Sequence, residues 1–374
     1  MISPKNGNRF MLALILNTIF IGFVMVAVAY IIYSIGFLRQ FIAGNDYMNF
    51  LTMAQQLFVF LLPVVIFSVV TKARLRDLIP HQPLSVKNIL YVIVLTFLFY
   101  PIMGLVSSIS SLFVSTNINE EIISIIEKLP FFSSLIALAI MPAINEEIVF
   151  RGVMFTSYKS LGIVKAVLLS ALFFGLIHQD FYQLGYAMVA GIFFALLVAY
   201  TNSIYASMLS HFIINGSQVL MQHLLGSQEG LLEEAAKEAT LVNKGFTILT
   251  FAVVVMFVSP FIYVVGKRFI NRNKDNYLDY LNKNNRDIND ENTNKLNEDD
   301  LKTNEFNAND IYENDLKTNE LNVNELNING TNININIDKV NNHVHNKVIT
   351  PSFVLAILLS VALAMISAIF RGNQ

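Results

Sequence analysis

Apolar residues fall in long blocks along this chain, and polar residues fall mainly between the blocks. Runs long enough to cross a hydrocarbon layer of about 30 Å lie near residues 10–38, 50–71, 86–115, 131–158, 163–179, 184–200, 203–225, 246–266 and 350–370. The pattern predicts an all-α polytopic membrane protein: a bundle of about eight core transmembrane helices, a polar tail and one C-terminal helix. Segments 163–179 and 184–200 approach the lower limit of about 17 residues for a spanning helix, so they are expected to tilt little or to lie deep in the bundle. The run that follows Lys5 and Arg9 far exceeds the roughly 7–15 residues of a signal h-region, so it is expected to remain as the first transmembrane helix.

Charge sorts by side. Lys5 and Arg9, then Lys72, Arg74, Arg76 and Lys87, then Lys159 and Lys165, then Lys267, Arg268, Arg272 and Lys274 all fall on one face of this arrangement. By the positive-inside rule that face is the cytoplasm, which places the N-terminus and the polar tail there. The opposite loops carry Arg39, Lys128, Lys237 and Lys244 against a larger set of acids that includes Glu120, Glu121, Glu127, Glu229, Glu233, Glu234 and Glu238.

Composition then narrows the chemistry. The chain is 54% hydrophobic with 30 Phe, 14 Tyr and no Trp, and its mean hydropathy is +0.54. The aromatic content reads as bundle packing and lipid-facing surface. A net charge of −2 arranged by side forms no basic footprint, so no nucleic-acid partner is expected. The absence of cysteine excludes disulfides, thiolate catalysis, lipidation on cysteine and Cys-based metal sites.

Four parts follow from these patterns: N-terminal transmembrane helices at 1–80, a core at 81–270, a polar insert at 271–349 and a last helix at 350–374. The insert is roughly one-third Asn and repeats Asp300-Leu-Lys-Thr-Asn-Glu305 as Asp315-Leu-Lys-Thr-Asn-Glu320, a low-complexity composition expected to be disordered. Its alternating stretch from Thr331 to Ile337 has the period of a strand and a propensity for local pairing. His343 and His345 read as polar residues of a solvated tail.

Candidate chemistry sits in the middle third, where charge is scarce. Between Asn88 and Gln228 the apolar spans hold almost no charge except Glu146, Glu147 and Arg151, within Asn145-Glu146-Glu147-Ile148-Val149-Phe150-Arg151. An ionisable group at membrane depth costs at least about 2.5–3.5 kcal/mol on insertion scales, so such groups persist mainly where they are paired or functional. Glu147 and Arg151 are four apart with the acid first, the favourable order for an intrahelical ion pair. That pairing leaves Glu146, about 100° further round the helix, free to face another element. His178 ends Phe174-Gly-Leu-Ile-His178, and His211 opens His211-Phe-Ile-Ile-Asn215, which puts His211 and Asn215 on one helical face. At 1.5 Å per residue, Glu146, His211 and His178 lie about 18, 12 and 23 Å from the cytoplasmic ends of their spans, depths that overlap once tilt is allowed. A free carboxylate sharing a water with a histidine, beside an Asn amide and a second histidine aimed at a developing oxyanion, is sufficient to hydrolyse an amide.

These three motifs, Glu-Glu-x-x-x-Arg at 146–151, Phe-x-x-x-His at 174–178 and His-x-x-x-Asn at 211–215, occur in the order found in one family. Over roughly residues 80–265 the chain resembles the CPBP-family intramembrane endopeptidases, which include type II CAAX prenyl endopeptidases and bacteriocin-processing or self-immunity (Abi) relatives. The resemblance implies a membrane-embedded active site opening toward the cytoplasm, and a membrane-associated or lipidated peptide as substrate. By matching positions it makes Glu146 and His178 the activators of water, His211 and Asn215 the oxyanion site, and Glu147 with Arg151 their support. Phe150 and Phe174, beside the polar cluster, are candidates for lining a pocket for an apolar or lipidated substrate. The family has been described both as metalloproteases and as glutamate proteases. His-Glu-x-x-His is absent, and Asn215 with an ion-paired Glu147 suits a metal-free site better than a zinc site, so no cofactor is expected.

Each feature also has a plainer reading. Glu147 with Arg151 alone is a structural ion pair, His178 alone a satisfied buried histidine, and Asn215 alone a hydrogen bond between helices. His81 and His223 lie near span ends, where an interfacial role is expected. The other function classes are a non-proteolytic immunity or binding protein and an ion-coupled transporter that uses the same buried groups. Pro63, Pro101, Pro142 and Pro260 interrupt the spans without defining the two matching halves expected of a transporter.

Overall fold

The computed structural model describes residues 3–35, 53–114, 129–225, 241–278, 325–328, 331–334 and 349–372. All nine predicted spans appear as helices: α1 Pro4–Ser34, α2 Met53–Thr71, α3 Val86–Ser110, α4 Phe131–Leu161, α5 Ile163–Leu176, α6 Phe181–Thr201, α7 Ile204–Leu225, α8 Leu241–Arg272 and α9 Pro351–Gly372. The protein is an all-α polytopic membrane protein. Among the described residues six helices, α1 to α4, α6 and α8, are long and apolar enough to cross a bilayer. Helix α5 has only 14 residues, and α7 is long enough but carries Ser207, Ser210, His211, Asn215, Ser217 and Gln218 along its length. The polar residues that depress the hydropathy of α7 are the ones it contributes to the interior.

Helix α4 is the axis of the bundle, with α1, α2, α5, α6 and α7 packed around it, while α3 lies against α6, α7 and α8. The C-terminal half of α4 is sealed: Val149, Phe150, Arg151, Val153, Met154, Phe155 and Tyr158 are all fully buried. By contrast α8 buries almost nothing in its most apolar stretch, as expected of a helix whose sides face lipid. Helix α5 meets α6 closely, and Gly191 permits this: a Cβ there would stand 2.9 Å from Ala171 Cα.

Prolines inside the helices have partners that replace the missing donor. Pro63 cannot donate to the carbonyls four and five residues before it, and Leu57–Leu61 widens into a π-helical turn. Asn17 of α1 fills the gap, donating from Nδ2 to Phe58 O at 3.0 Å and Val59 O at 3.1 Å. In α8, Ser259 Oγ donates to Met256 O at 2.9 Å, the carbonyl that Pro260 leaves unpaired.

The insert at 271–349 falls mostly outside the described residues. Helix α8 runs to Arg272 and a further helical turn covers 274–278. The alternating stretch forms a hairpin, with β1 Glu325–Ile328 antiparallel to β2 Thr331–Asn334 and Ile328 opposite Thr331. The intervening pair in the sequence, Asn329 and Gly330, is the dipeptide most favoured between hairpin strands.

Candidate active site

The two adjacent acids of α4 are held between two π-helical turns, Ile136–Ile140 and Ile148–Met154. Pro142 accounts for the first, because without an N–H it leaves the carbonyls of Ala137 and Leu138 without their usual donor. Two amides from other helices take its place: Gln56 Nε2 of α2 donates to Ala137 O at 2.8 Å, and Asn215 Nδ2 of α7 donates to Leu138 O at 3.1 Å. In the second turn Ser170 Oγ of α5 donates to Phe150 O at 2.8 Å. Pi-bulges cluster at functional sites because they re-aim side chains within a helix.

Glu147 and Arg151 are both fully buried and paired, with Arg151 Nη1 donating to Glu147 Oε1 at 2.9 Å. Arg151 Nη2 donates to the Gly191 carbonyl at 3.1 Å. The guanidinium carbon stands 4.4 Å from the ring centre of Phe174 and 5.1 Å from that of Phe194, positions in which a cation is attracted by the ring faces. Glu147 Oε1 also receives His211 Nδ1 of α7 at 3.0 Å. His211 is further fixed by Phe194, whose ring stacks on the imidazole at 5.1 Å and 22°. One buried carboxylate thus ties α4 to α7, and the arginine beside it ties α4 to α6.

Glu146 points elsewhere. It is half-buried and faces a cavity of about 170 Å³ between α3, α4, α5, α6 and α7. His178, His211 and Asn215 line the same cavity, as do Phe174, Tyr186 and Gln183. His178 lies beyond the end of α5, which stops at Leu176, in a short turn where Gln179 has φ +53° and Asp180 Oδ1 caps α6 by accepting from Gln183 N at 2.8 Å. The expected helix to residue 179 is therefore three residues too long. His178 Nδ1 faces the Phe174 carbonyl at 2.7 Å, so that nitrogen carries the proton and Nε2 presents a lone pair.

Glu146, His178, His211 and Asn215 are thus brought to one cavity, with Glu147 and Arg151 behind it. Phe174 lines the cavity, but Phe150 does not. Its ring is fully buried against the back of Phe174 at 5.2 Å, and the pocket assignment made for it from sequence is corrected to core packing. Sequence reading missed Phe194 and Tyr186, both cavity-lining. Phe194 stands in an unbroken apolar run with no distinguishing signal, whereas Gln183 and Tyr186, three apart at the start of α6, offered a faint polar one.

Both histidines use Nδ1 on protein acceptors, which leaves Nε2 of each to face the cavity, and among the described residues no group of three His, Asp or Glu side chains converges as a metal site requires.

The cavity lies along one half of these helices. From Glu146 and His211 it extends past Pro142 to Leu138 on α4, to Gln183 on α6 and to Gln218 on α7, toward the ends of the helices remote from the Lys- and Arg-rich loops.

The buried Glu–Arg–His cluster stands behind a largely apolar cavity that Glu146, His178, His211 and Asn215 share, and this part of the chain has relatives among known sequences. Residues 128–217, which hold all six polar site residues, match the family model of type II CAAX prenyl endopeptidase Rce1-like proteins. The chain is also 30% identical over 127 residues to a Bacillus subtilis (strain 168) protein named "Putative membrane peptidase YdiL", a match covering 34% of this chain and 50% of that protein. The chain thus spans about half the length of that curated relative. No solved structure matches the chain. The family match is to this core, residues 128–217 of the chain.

Proposed function

We propose that the protein is an intramembrane endopeptidase that hydrolyses a peptide bond of a membrane-associated substrate with a water activated by Glu146 and His178. The observation that carries this reading is the division of the polar cluster: Glu146, His178, His211 and Asn215 share one cavity, while Glu147 and Arg151 are consumed by each other behind it.

The chemistry follows from the free positions. Glu146 accepts a proton from a water that also donates to His178 Nε2, and the water oxygen attacks the scissile carbonyl carbon. Asn215 keeps one amide N–H beyond its bond to Leu138, which suits it to donate to the oxyanion. His211 donates to the same oxyanion from Nε2 when its ring holds both protons, since Nδ1 is committed to Glu147. Collapse breaks the C–N bond, and Glu146 returns its proton to the leaving amine. No metal ion takes part in this scheme.

The test compares wild type with Glu146→Ala and His178→Ala on membrane-bound candidate peptides, prenylated and unprenylated. Cleavage by wild type and its loss in both variants, with unfolding temperatures unchanged, is the expected result. Equal cleavage by all three would overturn the reading, and no cleavage by any of them would favour a binding or immunity protein. Retained cleavage after chelation is the expected outcome for a site built this way.

A further inference from the structure

Most polar side chains around the site tie one helix to another. Gln56 and Asn215 serve carbonyls of α4, Arg151 reaches α6, and His211 reaches Glu147 of α4. Gln183 and Tyr186 do not. Tyr186 Oη donates to Gln183 Oε1 at 3.0 Å, a bond between residues three apart on α6 that joins no two elements, yet both side chains line the cavity. We infer that this pair is a main-chain subsite, which holds the N–H and C=O of one residue of an extended peptide beside the site. The inference deepens the peptidase reading and rests on it for the nature of the ligand.

The complementarity lies in the positions left over. A Tyr hydroxyl has one proton and two lone pairs, and a Gln amide has two N–H groups and a carbonyl. With the Tyr186 proton given to Gln183 Oε1, the pair presents an acceptor at Tyr186 Oη beside donors at Gln183 Nε2, and among the described residues neither side chain has another hydrogen-bond partner. An extended residue presents the converse, an N–H and a C=O turned to the same side, as in the hydrogen-bonded pairs of an antiparallel sheet. The tyrosine ring is also fixed in advance: Tyr182 packs edge-on to it at 6.3 Å, and Tyr182 Oη accepts from Ser107 Oγ of α3 at 2.8 Å. A side chain already held in place loses little freedom on binding.

The pair stands at a definable distance from the chemistry. Gln183, Tyr186, Ala187, Ala190 and Phe194 share one face of α6 and all line the cavity, and between Tyr186 and Phe194 this face offers only methyl groups, which leave room for a chain. Phe194 stacks on His211, and from there α7 runs back along α6. Asn215 lies about 6 Å along α7 from His211, and Tyr186 about 12 Å back along α6 from Phe194, at 1.5 Å per residue. The difference of about 6 Å is roughly two residues of extended chain. The subsite therefore takes a residue about two positions from the scissile bond.

Binding tests this without turnover. A dansylated, palmitoylated peptide is selected from a randomised pool by its binding to Glu146→Gln in phospholipid nanodiscs. It is then resynthesised with each backbone amide in turn replaced by an ester, which removes a single N–H. One ester position should raise Kd by about 3- to 10-fold, the range of one hydrogen bond. The same ester should have no effect once Tyr186→Phe is added, because the acceptor is already gone. Gln183→Met should weaken binding of the unmodified peptide by a similar factor. A pool that yields no binding peptide, or an ester scan with no sensitive position, overturns the subsite whatever the variants do. Equal sensitivity to the ester with Tyr186→Phe, or unchanged binding by Gln183→Met, overturns it as well. Cleavage is read separately with Glu146 restored, so a peptide that binds as expected but is not cut would refute the peptidase reading and leave the subsite in place.

Discussion

Glu146 and Glu147 are consecutive in the chain, yet their surroundings divide the work between them. Glu147 is enclosed, bonded to Arg151 at 2.9 Å and to His211 at 3.0 Å. Removing one partner of a buried ion pair leaves the other charge uncompensated and costs about 3–5 kcal/mol. Glu147→Gln is therefore expected to lower stability by that amount, read as an unfolding midpoint in detergent, with activity lost as a consequence of the disturbed fold. Glu146→Gln removes no pairing, so its midpoint should move by less than about 1 kcal/mol, while cleavage falls by about 10²-fold or more as expected for loss of a general base. A Glu146→Gln that unfolds as readily as Glu147→Gln would contradict this division. The pairing of Glu147 with Arg151 was legible from spacing alone, because residues four apart on a helix must be neighbours. The bond from His211 to Glu147 was not, since it joins residues 64 apart through the packing of α7 on α4.

At the scale of elements, the helices around the site are defined as much by their interruptions as by their regular turns. Pro142 was visible in the sequence as a mid-span proline, but nothing there named Gln56 or Asn215 as the amides that serve its orphaned carbonyls. Loss of such a donor leaves a buried carbonyl unsatisfied and costs about 1–3 kcal/mol, so Gln56→Leu should destabilise the protein by about that much. Pro142→Ala restores an N–H at position 142, and in that background the penalty of Gln56→Leu should shrink. A double-mutant cycle on unfolding midpoints measures the coupling, and strict additivity would show that Gln56 does not act through the Pro142 gap. Gly191 sets a second constraint between elements. Gly191→Ala drives a Cβ to 2.9 Å from Ala171 Cα, so an overpacking cost of about 1–3 kcal/mol is expected, read in the same unfolding assay. Both effects reach the site without touching it, because Asn215 and the carbonyl that holds Arg151 are parts of these joints. His178 illustrates the limit of periodicity: the apolar run continues to residue 179, but the left-handed Gln179 and the Asp180 cap end α5 three residues earlier.

For the whole molecule, composition marked residues 271–349 as an interruption and left open whether the helix after it belonged to the bundle. The structure places α9 against α1 and α5. Asn8 Nδ2 donates to Thr350 Oγ1 at 2.9 Å and accepts from Tyr158 through its own oxygen, which fixes the start of α9 beside the start of α1 and the end of α4. Phe353 packs edge-on to Phe173 at 5.6 Å, and Ala356 and Ser360, one turn apart, are buried, the kind of small-residue surface that lets membrane helices approach closely. The end of α8 carries Arg272, and Thr350 lies by Asn8, so the insert departs and returns at the same Lys- and Arg-rich end of the bundle. A single break within residues 279–324 falls between the described elements α8 and α9. With a protease site placed there and cleaved in mild detergent, the piece bearing α9 should co-purify with the piece bearing α1 to α8. Ser360→Leu inserts a large side chain where none fits, at a cost of about 1–3 kcal/mol, and should release α9 from the cleaved protein while leaving the uncut chain folded. Loss of α9 from the cleaved wild type would mean that covalent connection, and not the contacts at Asn8, Phe173 and Ser360, keeps the last helix in place.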